Sequence, residues 1–271
     1  MAIAHEAGKI PVRKMNFEFD EVPKAYLNGD LAFSNIFNGM NLLFPEGERF
    51  FMHAVRDGLK KIDNPSEDLQ QRAKGFYGQE AQHSLEHLKY FDILDKNGYE
   101  FRKGLAKFDK LTIWERKNLP VNLRLAMTAG AEHLTAVAGQ VALRDENVVN
   151  GHPVMRDLMQ WHAIEEIEHK AVAFDVYKAA GGGYLLRQAA YLGALINVGA
   201  YSFKFAYQFM RQDGYGRFQA VWELNKAFRG ILKRNRYLIK DLFAYLKPGF
   251  HPNQIDDEPL IAQARIDLAA Y

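Results

Sequence analysis

The feature of this sequence that most restricts its fold is a pattern of acidic residues and histidines that occurs twice. In each copy a glutamate is followed by a Glu-x-x-His unit, 32 residues later in the first copy and 34 in the second. The copies consist of Glu48, Glu80 and His83, and of Glu132, Glu166 and His169. Residues three apart on a helix project from the same side, so each unit would place a carboxylate beside an imidazole.

Four carboxylates and two imidazoles drawn from four helices form the ligand set of dinuclear sites in ferritin-like bundles. The predicted fold class is therefore all-α, a ferritin-like four-helix bundle with a long crossover and additional C-terminal helices. The bundle helices are predicted at about 45–62, 66–96, 121–146 and 154–179. The crossover is predicted at 99–120, where no strong helical period is present.

The predicted bundle, with the segments before and after it, divides the chain into four parts. Residues 1–43 are predicted to form an N-terminal arm, and 44–180 the metal-binding bundle. Residues 184–247 are predicted to be a helical extension packed on the bundle, and 248–271 a peripheral tail.

Composition excludes several classes of site. The chain has no cysteine, so disulfides, iron–sulfur clusters and thiolate zinc sites are excluded, and any metal must be held by nitrogen and oxygen atoms. A net charge of +2 without a separate basic module indicates no nucleic-acid partner. The N-terminus has no apolar run of signal-peptide length, so a cytoplasmic location is predicted.

The pattern favours two metal ions bound side by side. Two neighbouring divalent cations repel, and four glutamates would neutralise and bridge them while each imidazole completes one ion. Burying four carboxylates without a cation would be prohibitive, which is the argument that they are ligands. Hard oxygen and nitrogen donors suit iron first, with manganese or zinc as alternatives.

Three nearby residues leave alternatives open. Glu165 could replace Glu166 as a ligand, because it lies four residues before His169. His87 shares a helical face with the first Glu-x-x-His unit and is a candidate third imidazole ligand. Otherwise His87 and His162 are expected to hydrogen-bond or pack around the ligands, and either Glu165 or His162 could act as a base. No catalytic residue is assigned.

The extension begins with an apolar segment. Residues 188–203 contain no charge, and this run of 16 is short for a membrane-spanning helix. A buried fifth bundle helix is predicted, and a membrane-surface or homodimer contact is the alternative. Residues 184–247 contain eleven Lys or Arg against three Asp or Glu, interleaved with aromatic residues, so contact with a membrane surface or an acyl lipid is also considered.

Four segments carry a resemblance to a known family. They are Phe44 to Phe51, Gly78 to His83, Thr128 to His133, and Trp161 to Asp175. These segments resemble a bacterial family described as predicted metal-dependent hydrolases. The resemblance implies a ferritin-like metalloprotein but indicates no particular substrate.

Three functions are compatible with these observations. The first is a di-iron enzyme that activates oxygen to oxidise a small, hydrophobic molecule. The second is a two-metal hydrolase that uses a metal-bound water. The third is an iron-binding protein without catalytic turnover. The ligand set favours the first, and the family resemblance favours the second.

Overall fold

The computed structural model describes residues 10–268, and every regular element in that range is helical, which confirms the all-α class. The first nine residues of the predicted arm and the last three of the tail lie outside the described residues. The α-helices are α1 (Leu31–Asn41), α2 (Phe44–Leu59), α3 (Glu67–Lys96), α4 (Arg102–Asn118), α5 (Val121–Arg144), α6 (Glu146–Val149), α7 (Pro153–His169), α8 (Val172–Ala179), α9 (Tyr184–Gln212), α10 (Arg217–Arg234), α11 (Tyr237–Ala244) and α12 (Glu258–Leu268). A 3₁₀-helix covers Pro252–Gln254.

Signals in the local sequence set the ends of the first bundle helices. Ser66 Oγ accepts a hydrogen bond from the backbone N–H of Leu69 (3.2 Å) and caps α3. Pro45 lies in the first turn of α2, where its missing N–H breaks no helical hydrogen bond. Gly98, with φ of +83°, follows the C-terminal end of α3, because glycine adopts this left-handed conformation without strain.

The predicted crossover at 99–120 is itself mostly helical, since α4 occupies most of it. Leu105, Phe108 and Thr112 are buried, whereas Arg102, Lys103, Lys107, Lys110 and Lys117 are exposed. The apolar side of this helix is narrow, which explains why the sequence shows no strong period there.

The helix predicted at 154–179 is interrupted at Lys170 and Ala171, between α7 and α8. Neither proline nor glycine lies at the interruption. Lys170 is buried there, and its Nζ donates to Asp257 Oδ2 (2.6 Å) and to the Ile255 carbonyl (2.7 Å). These partners are more than eighty residues away along the chain, so no local signal could have predicted them.

Four helical rods surround the centre of the molecule. α2 packs against α3 and α5, and the rod formed by α7 and α8 packs against α5 and α3. These rods supply every residue of the repeated pattern, one glutamate from α2, one from α5, and a Glu-x-x-His unit from each of α3 and α7. The ferritin-like identity of this arrangement stays a prediction.

α9 lies across α1 and α5 outside these rods. Its inner side is buried at Tyr191, Phe205 and Phe209, but its outer side is exposed, with Leu185 at 79% and Ile196 at 70% exposure. The prediction of a buried fifth helix is therefore correct for one side of α9 only. None of the helices in the described range has the length and apolar character needed to cross a membrane.

The segment predicted as a peripheral tail packs closely on the bundle. α12 contacts α7 and α5, and Ile261 is 2% exposed. Arg265 Nε donates to Glu168 Oε1 (2.9 Å), which lies next to His169 in α7. The tail therefore reaches the surroundings of the repeated pattern, which its acidic, irregular sequence does not indicate.

Candidate metal centre

The structure brings all six side chains of the repeated pattern together in the interior of the bundle. Each is at most 2% exposed: Glu48, Glu80, His83, Glu132, Glu166 and His169. The helices of each Glu-x-x-His unit turn both members inward, as the three-residue spacing requires.

One half of the cluster is centred on His169. Its Nε2 lies 3.1 Å from Glu132 Oε2, 3.3 Å from Glu80 Oε1 and 3.5 Å from Glu166 Oε2. Donor atoms of Glu80, Glu132 and His169 lie within 4.8 Å of one another, which is close enough to share one metal ion.

The other half is centred on His83. Its Nδ1 lies 3.5 Å from Glu166 Oε1 and 3.9 Å from Glu80 Oε2. Donor atoms of His83 also lie within 4.8 Å of those of Glu48 and His162. Glu80 and Glu166 therefore direct one oxygen to each histidine, as bridging carboxylates would. Glu48 belongs to the half around His83 and Glu132 to the half around His169, as terminal ligands would.

Many of the donor atoms in the cluster have no hydrogen-bond partner. These atoms are Glu48 Oε1, both carboxylate oxygens of Glu80 and of Glu132, His83 Nδ1 and His169 Nε2. Buried polar atoms are normally hydrogen-bonded, because leaving them unpaired is costly. The donor set therefore fits a group that coordinates these atoms, and a pair of metal ions is such a group.

The balance of charge points the same way. In the described ion pairs, no Lys or Arg reaches any of the four cluster glutamates, whereas Arg13 and Arg265 pair with the neighbouring Glu165 and Glu168. Among residues 10–268, the outer carboxylates are thus paired with arginines, whereas the inner four have histidines but no Lys or Arg beside them. Two divalent ions carry the charge that balances four carboxylates.

Burial and mutual repulsion shift the ionisation of the inner carboxylates. Burial raises the pKa of Glu48 to about 8 and that of Glu132 to about 7, and it raises the pKa of Glu80 well above its usual value. Burial would also raise the pKa of Glu166, but the surrounding histidines, His169 foremost, hold it well below the usual range. Without a cation, the cluster therefore retains protons near neutral pH.

A glutamine fixes the orientation of His169. Gln79 Nε2 donates to the Pro11 carbonyl (2.8 Å) and to Glu168 Oε2 (2.9 Å), which leaves its Oε1 as an acceptor. His169 Nδ1–H donates to that oxygen (2.9 Å). The lone pair of the neutral ring therefore lies on Nε2, which faces the carboxylates.

Glu165 has the corresponding role beside His83. His83 Nε2–H donates to Glu165 Oε2 (3.1 Å), which directs Nδ1 at the cluster. The other carboxylate oxygen of Glu165 accepts a hydrogen bond from Arg13 Nη1 (3.0 Å). Glu165 lies at the outer nitrogen of His83 and is paired with Arg13, whereas Glu166 lies beside the inner nitrogens of both His83 and His169. This geometry favours Glu166 over Glu165 as the candidate ligand.

One arginine connects the two orienting groups. Arg13 also donates to both oxygens of Glu168, each at 2.8 Å, so a continuous chain of hydrogen bonds runs from His83 to His169. Sequence reasoning missed Arg13, Gln79 and Glu168. Gln79 adjoins Glu80 and could have been considered, but nothing local indicates that residue 13 returns to α7.

His87 and His162 lie beside the cluster and contact each other. His162 Nε2–H donates to Glu166 Oε1 (2.9 Å), so its Nδ1 is the acceptor for the Nε2–H of His87. Nδ1 of His87 then has a lone pair and no hydrogen-bond partner. Of these two histidines, the structure places His162 rather than His87 within ligand distance of the cluster.

A small cavity of about 30 Å³ lies against this histidine pair. Its walls are mainly apolar and include Phe37, Met40, Phe44, Ala142 and Met159. The polar side chains in the wall are His87, Thr135, His162 and Glu166, all on the side of the cluster. A molecule in the cavity would therefore have one end at the cluster and the rest among apolar groups.

Comparison with known proteins identifies a family that the chain matches. A family model described as predicted metal-dependent hydrolase matches residues 11–256, which include all six cluster residues. No curated protein and no solved structure matches the chain.

Proposed function

Because the chain belongs to the family of predicted metal-dependent hydrolases, we propose that its buried cluster holds two divalent metal ions and hydrolyses a small, hydrophobic substrate. The observation that carries this proposal is the convergence of unpaired carboxylate and imidazole atoms beside an apolar cavity. The family description supports hydrolysis over oxygen activation.

The six residues of the repeated pattern would hold the metals. His83 Nδ1 and Glu48 would serve one ion, His169 Nε2 and Glu132 the other, and Glu80 and Glu166 both. Bound divalent ions act as Lewis acids and lower the pKa of water, which supplies a nucleophile at neutral pH. Iron is the metal we favour, with manganese or zinc as alternatives, because all three accept a set of oxygen and nitrogen donors.

The histidines in the cavity wall would handle protons. His87 lines the cavity, and the free lone pair of its Nδ1 would accept a proton from an attacking water and return it to a leaving group. His87 Nε2–H and His162 hold each other in position, and Glu166 anchors this pair. The hydroxyl of Thr135 donates to the other oxygen of Glu166 and fixes that carboxylate.

Oxygen activation is the second candidate. The donor set of four carboxylates and two imidazoles favours it, since it is the set of di-iron carboxylate bundles. The apolar cavity would suit a hydrophobic substrate in either reaction, so the source of the oxygen atom in the product separates them. An iron-binding protein without turnover would show neither reaction.

The test uses metal-reconstituted protein and p-nitrophenyl esters with acyl chains of increasing length. Hydrolysis predicts activity without oxygen, incorporation of ¹⁸O from labelled water, and better turnover of acyl chains that fit the small cavity than of longer ones. The Glu80→Gln variant should lose this activity. Activity that requires oxygen and takes its label from O₂ would contradict the proposal and support the second candidate.

A further inference from the structure

The outer side of α9 presents an apolar stripe that nothing in the described part of the chain covers. It comprises residues spaced alternately three and four apart, namely Leu185, Ala189, Leu192, Ile196, Gly199 and Phe203, all exposed. Helices that are apolar on all sides are normally buried on all sides. α9 is buried only toward the bundle, so its outer side indicates a contact with something else.

α10 follows α9 after a short turn and packs beside its C-terminal half, with Ala220 and Leu224 against Ala206 and Met210. On its opposite side, Phe218 is 93% exposed and Trp222 is 62% exposed. Isolated apolar residues on a surface need no explanation, but two large aromatic residues one turn apart form a patch.

Cations surround these aromatic residues. Lys226, Arg229 and Lys233 are exposed on the outer side of α10, and the Arg229 guanidinium lies 5.7 Å from the centre of the Trp222 ring. α9 contains no acidic residue. Aromatic residues among lysines and arginines are typical of helices that lie in the headgroup region of a bilayer.

The charge of the chain is distributed unequally. Residues 184–247 have eleven Lys or Arg and three Asp or Glu, a net charge of +8. The rest of the chain has the remaining 24 Lys or Arg and 30 Asp or Glu, a net charge of −6. Ten of the eleven cations in the segment are exposed, the exception being Arg187. The segment with the exposed apolar stripe is therefore also the cationic part of the molecule.

We propose that this α9–α10 face, defined by Leu185, Leu192, Ile196, Phe203, Phe218 and Trp222, binds the surface of a membrane that contains anionic phospholipids. The aliphatic and aromatic side chains would enter the headgroup region, and the surrounding cations would contact lipid phosphates. A second copy of the chain fits less well, because a two-fold contact would bring two segments of charge +8 together.

The proposal is tested by flotation of the full chain with vesicles of phosphatidylcholine alone and of phosphatidylcholine mixed with phosphatidylglycerol. We expect binding to the mixed vesicles, at least tenfold weaker binding to the neutral ones, and release at high salt. The double variant Phe218→Ser, Trp222→Ser should bind at least tenfold more weakly. The double variant Lys226→Gln, Arg229→Gln should weaken binding to the mixed vesicles selectively.

Trp114→Ser is the matched control, because Trp114 on α4 is also exposed, at 55%. It should bind vesicles like the wild type, and circular dichroism should show that all variants are folded. Equal binding to both vesicle types, no binding, or an equal loss in Trp114→Ser would overturn the proposal. So would a stable dimer in solution that the Phe218 and Trp222 substitutions dissociate, since it would identify a second copy as the partner. Vesicle binding should persist in Glu80→Gln, so this test is independent of the proposed function.

Discussion

Glu80 and Glu86 illustrate how two buried acids on one helix can have different roles. Glu86 accepts hydrogen bonds from the Phe17 N–H (3.2 Å) and from Lys89 Nζ (2.7 Å). Neither oxygen of Glu80 has a hydrogen-bond partner among the described residues, although Glu80 is the more deeply buried of the two. The two donors that contact Glu86 compensate for the burial of its carboxylate. The carboxylate of Glu80 has no such donor, and a bound metal ion would compensate for its burial.

This contrast gives a paired prediction. Glu80→Gln should lose at least one of two bound metals, because an amide cannot neutralise or bridge the ions as a carboxylate does. Glu86→Gln should keep the metal content of the wild type and lose some stability, on the order of 1 kcal/mol, with its charged hydrogen bonds. Elemental analysis and thermal unfolding of both variants would check this. Equal metal content in the two would contradict the assignment of Glu80.

The raised pKa values predict how metal affinity depends on pH. Metal binding must displace the protons that Glu48, with a pKa of about 8, and Glu132, with a pKa of about 7, hold without a cation. Affinity measured on chelator-treated protein should therefore increase more than tenfold between about pH 6 and pH 8. An affinity that is independent of pH in this range would mean that these carboxylates are not displaced by metal.

The same shifts predict the stability of metal-free protein. A carboxyl whose pKa is higher in the folded than in the unfolded state stabilises the fold below its unfolded pKa, and this stability is lost as pH rises through the folded value. Metal-free protein should therefore become less stable up to about pH 8, where Glu48 ionises. The increase in melting temperature on adding metal should grow over the same range, as calorimetry would show.

At the scale of single residues, the sequence alone predicts best which side chains face the interior of the bundle. Glu48, Glu80 and Glu132 converge because helical spacing fixes which side of each helix a residue faces. The groups that orient the histidines, such as Gln79 and Arg13, could not be derived, because they depend on contacts between distant segments.

At the scale of elements, the N-terminal segment 10–20 and the helix α12 both form ion pairs with glutamates of α7. Residues 10–20 form no helix, yet Arg13 from this segment bridges Glu165 and Glu168. Of these two carboxylates, Arg265 from α12 reaches Glu168 and not Glu165, and its Nη1 pairs with Glu258. Arg13 therefore supports the orientation of both cluster histidines, and Arg265 supports one of them indirectly.

Comparison of these two arginines tests the role of the N-terminal segment. Arg13→Gln should weaken metal binding about 10- to 100-fold, the usual effect of removing a group that orients ligands. Arg265→Gln should weaken it only a few-fold, because Glu168 keeps its hydrogen bonds from Arg13 and Gln79. Isothermal titration with the same metal would measure both, and the opposite order of effects would contradict this account.

The elements also show which parts of the fold local sequence determines. The start of α3 at Ser66 and the end beside Gly98 follow capping rules and were predictable. The interruption at Lys170 was not, since it accompanies an ion pair with Asp257 in a segment that local pattern indicates to be peripheral. Local signals set ends of helices, whereas contacts between segments decide where a helix is interrupted.

At the scale of the whole molecule, the two halves of the chain have different surroundings. The repeated pattern fills the interior of the bundle, where many of its donor atoms have no hydrogen-bond partner among the described residues. The C-terminal extension covers α1 and α5 with one side and exposes an apolar, cationic face with the other. The sequence indicated both properties of the extension, but only the folded structure separates the buried side of α9 from the exposed one.

The central claim is that the chain binds two metal ions between four glutamates and two histidines. The most direct test is elemental analysis of untagged protein purified without added metal, with Glu80→Gln as the comparison. The account predicts about two divalent metal ions per wild-type chain, iron foremost, and at most one in the variant. No metal in the wild type, even after anaerobic reconstitution with ferrous iron, would contradict it.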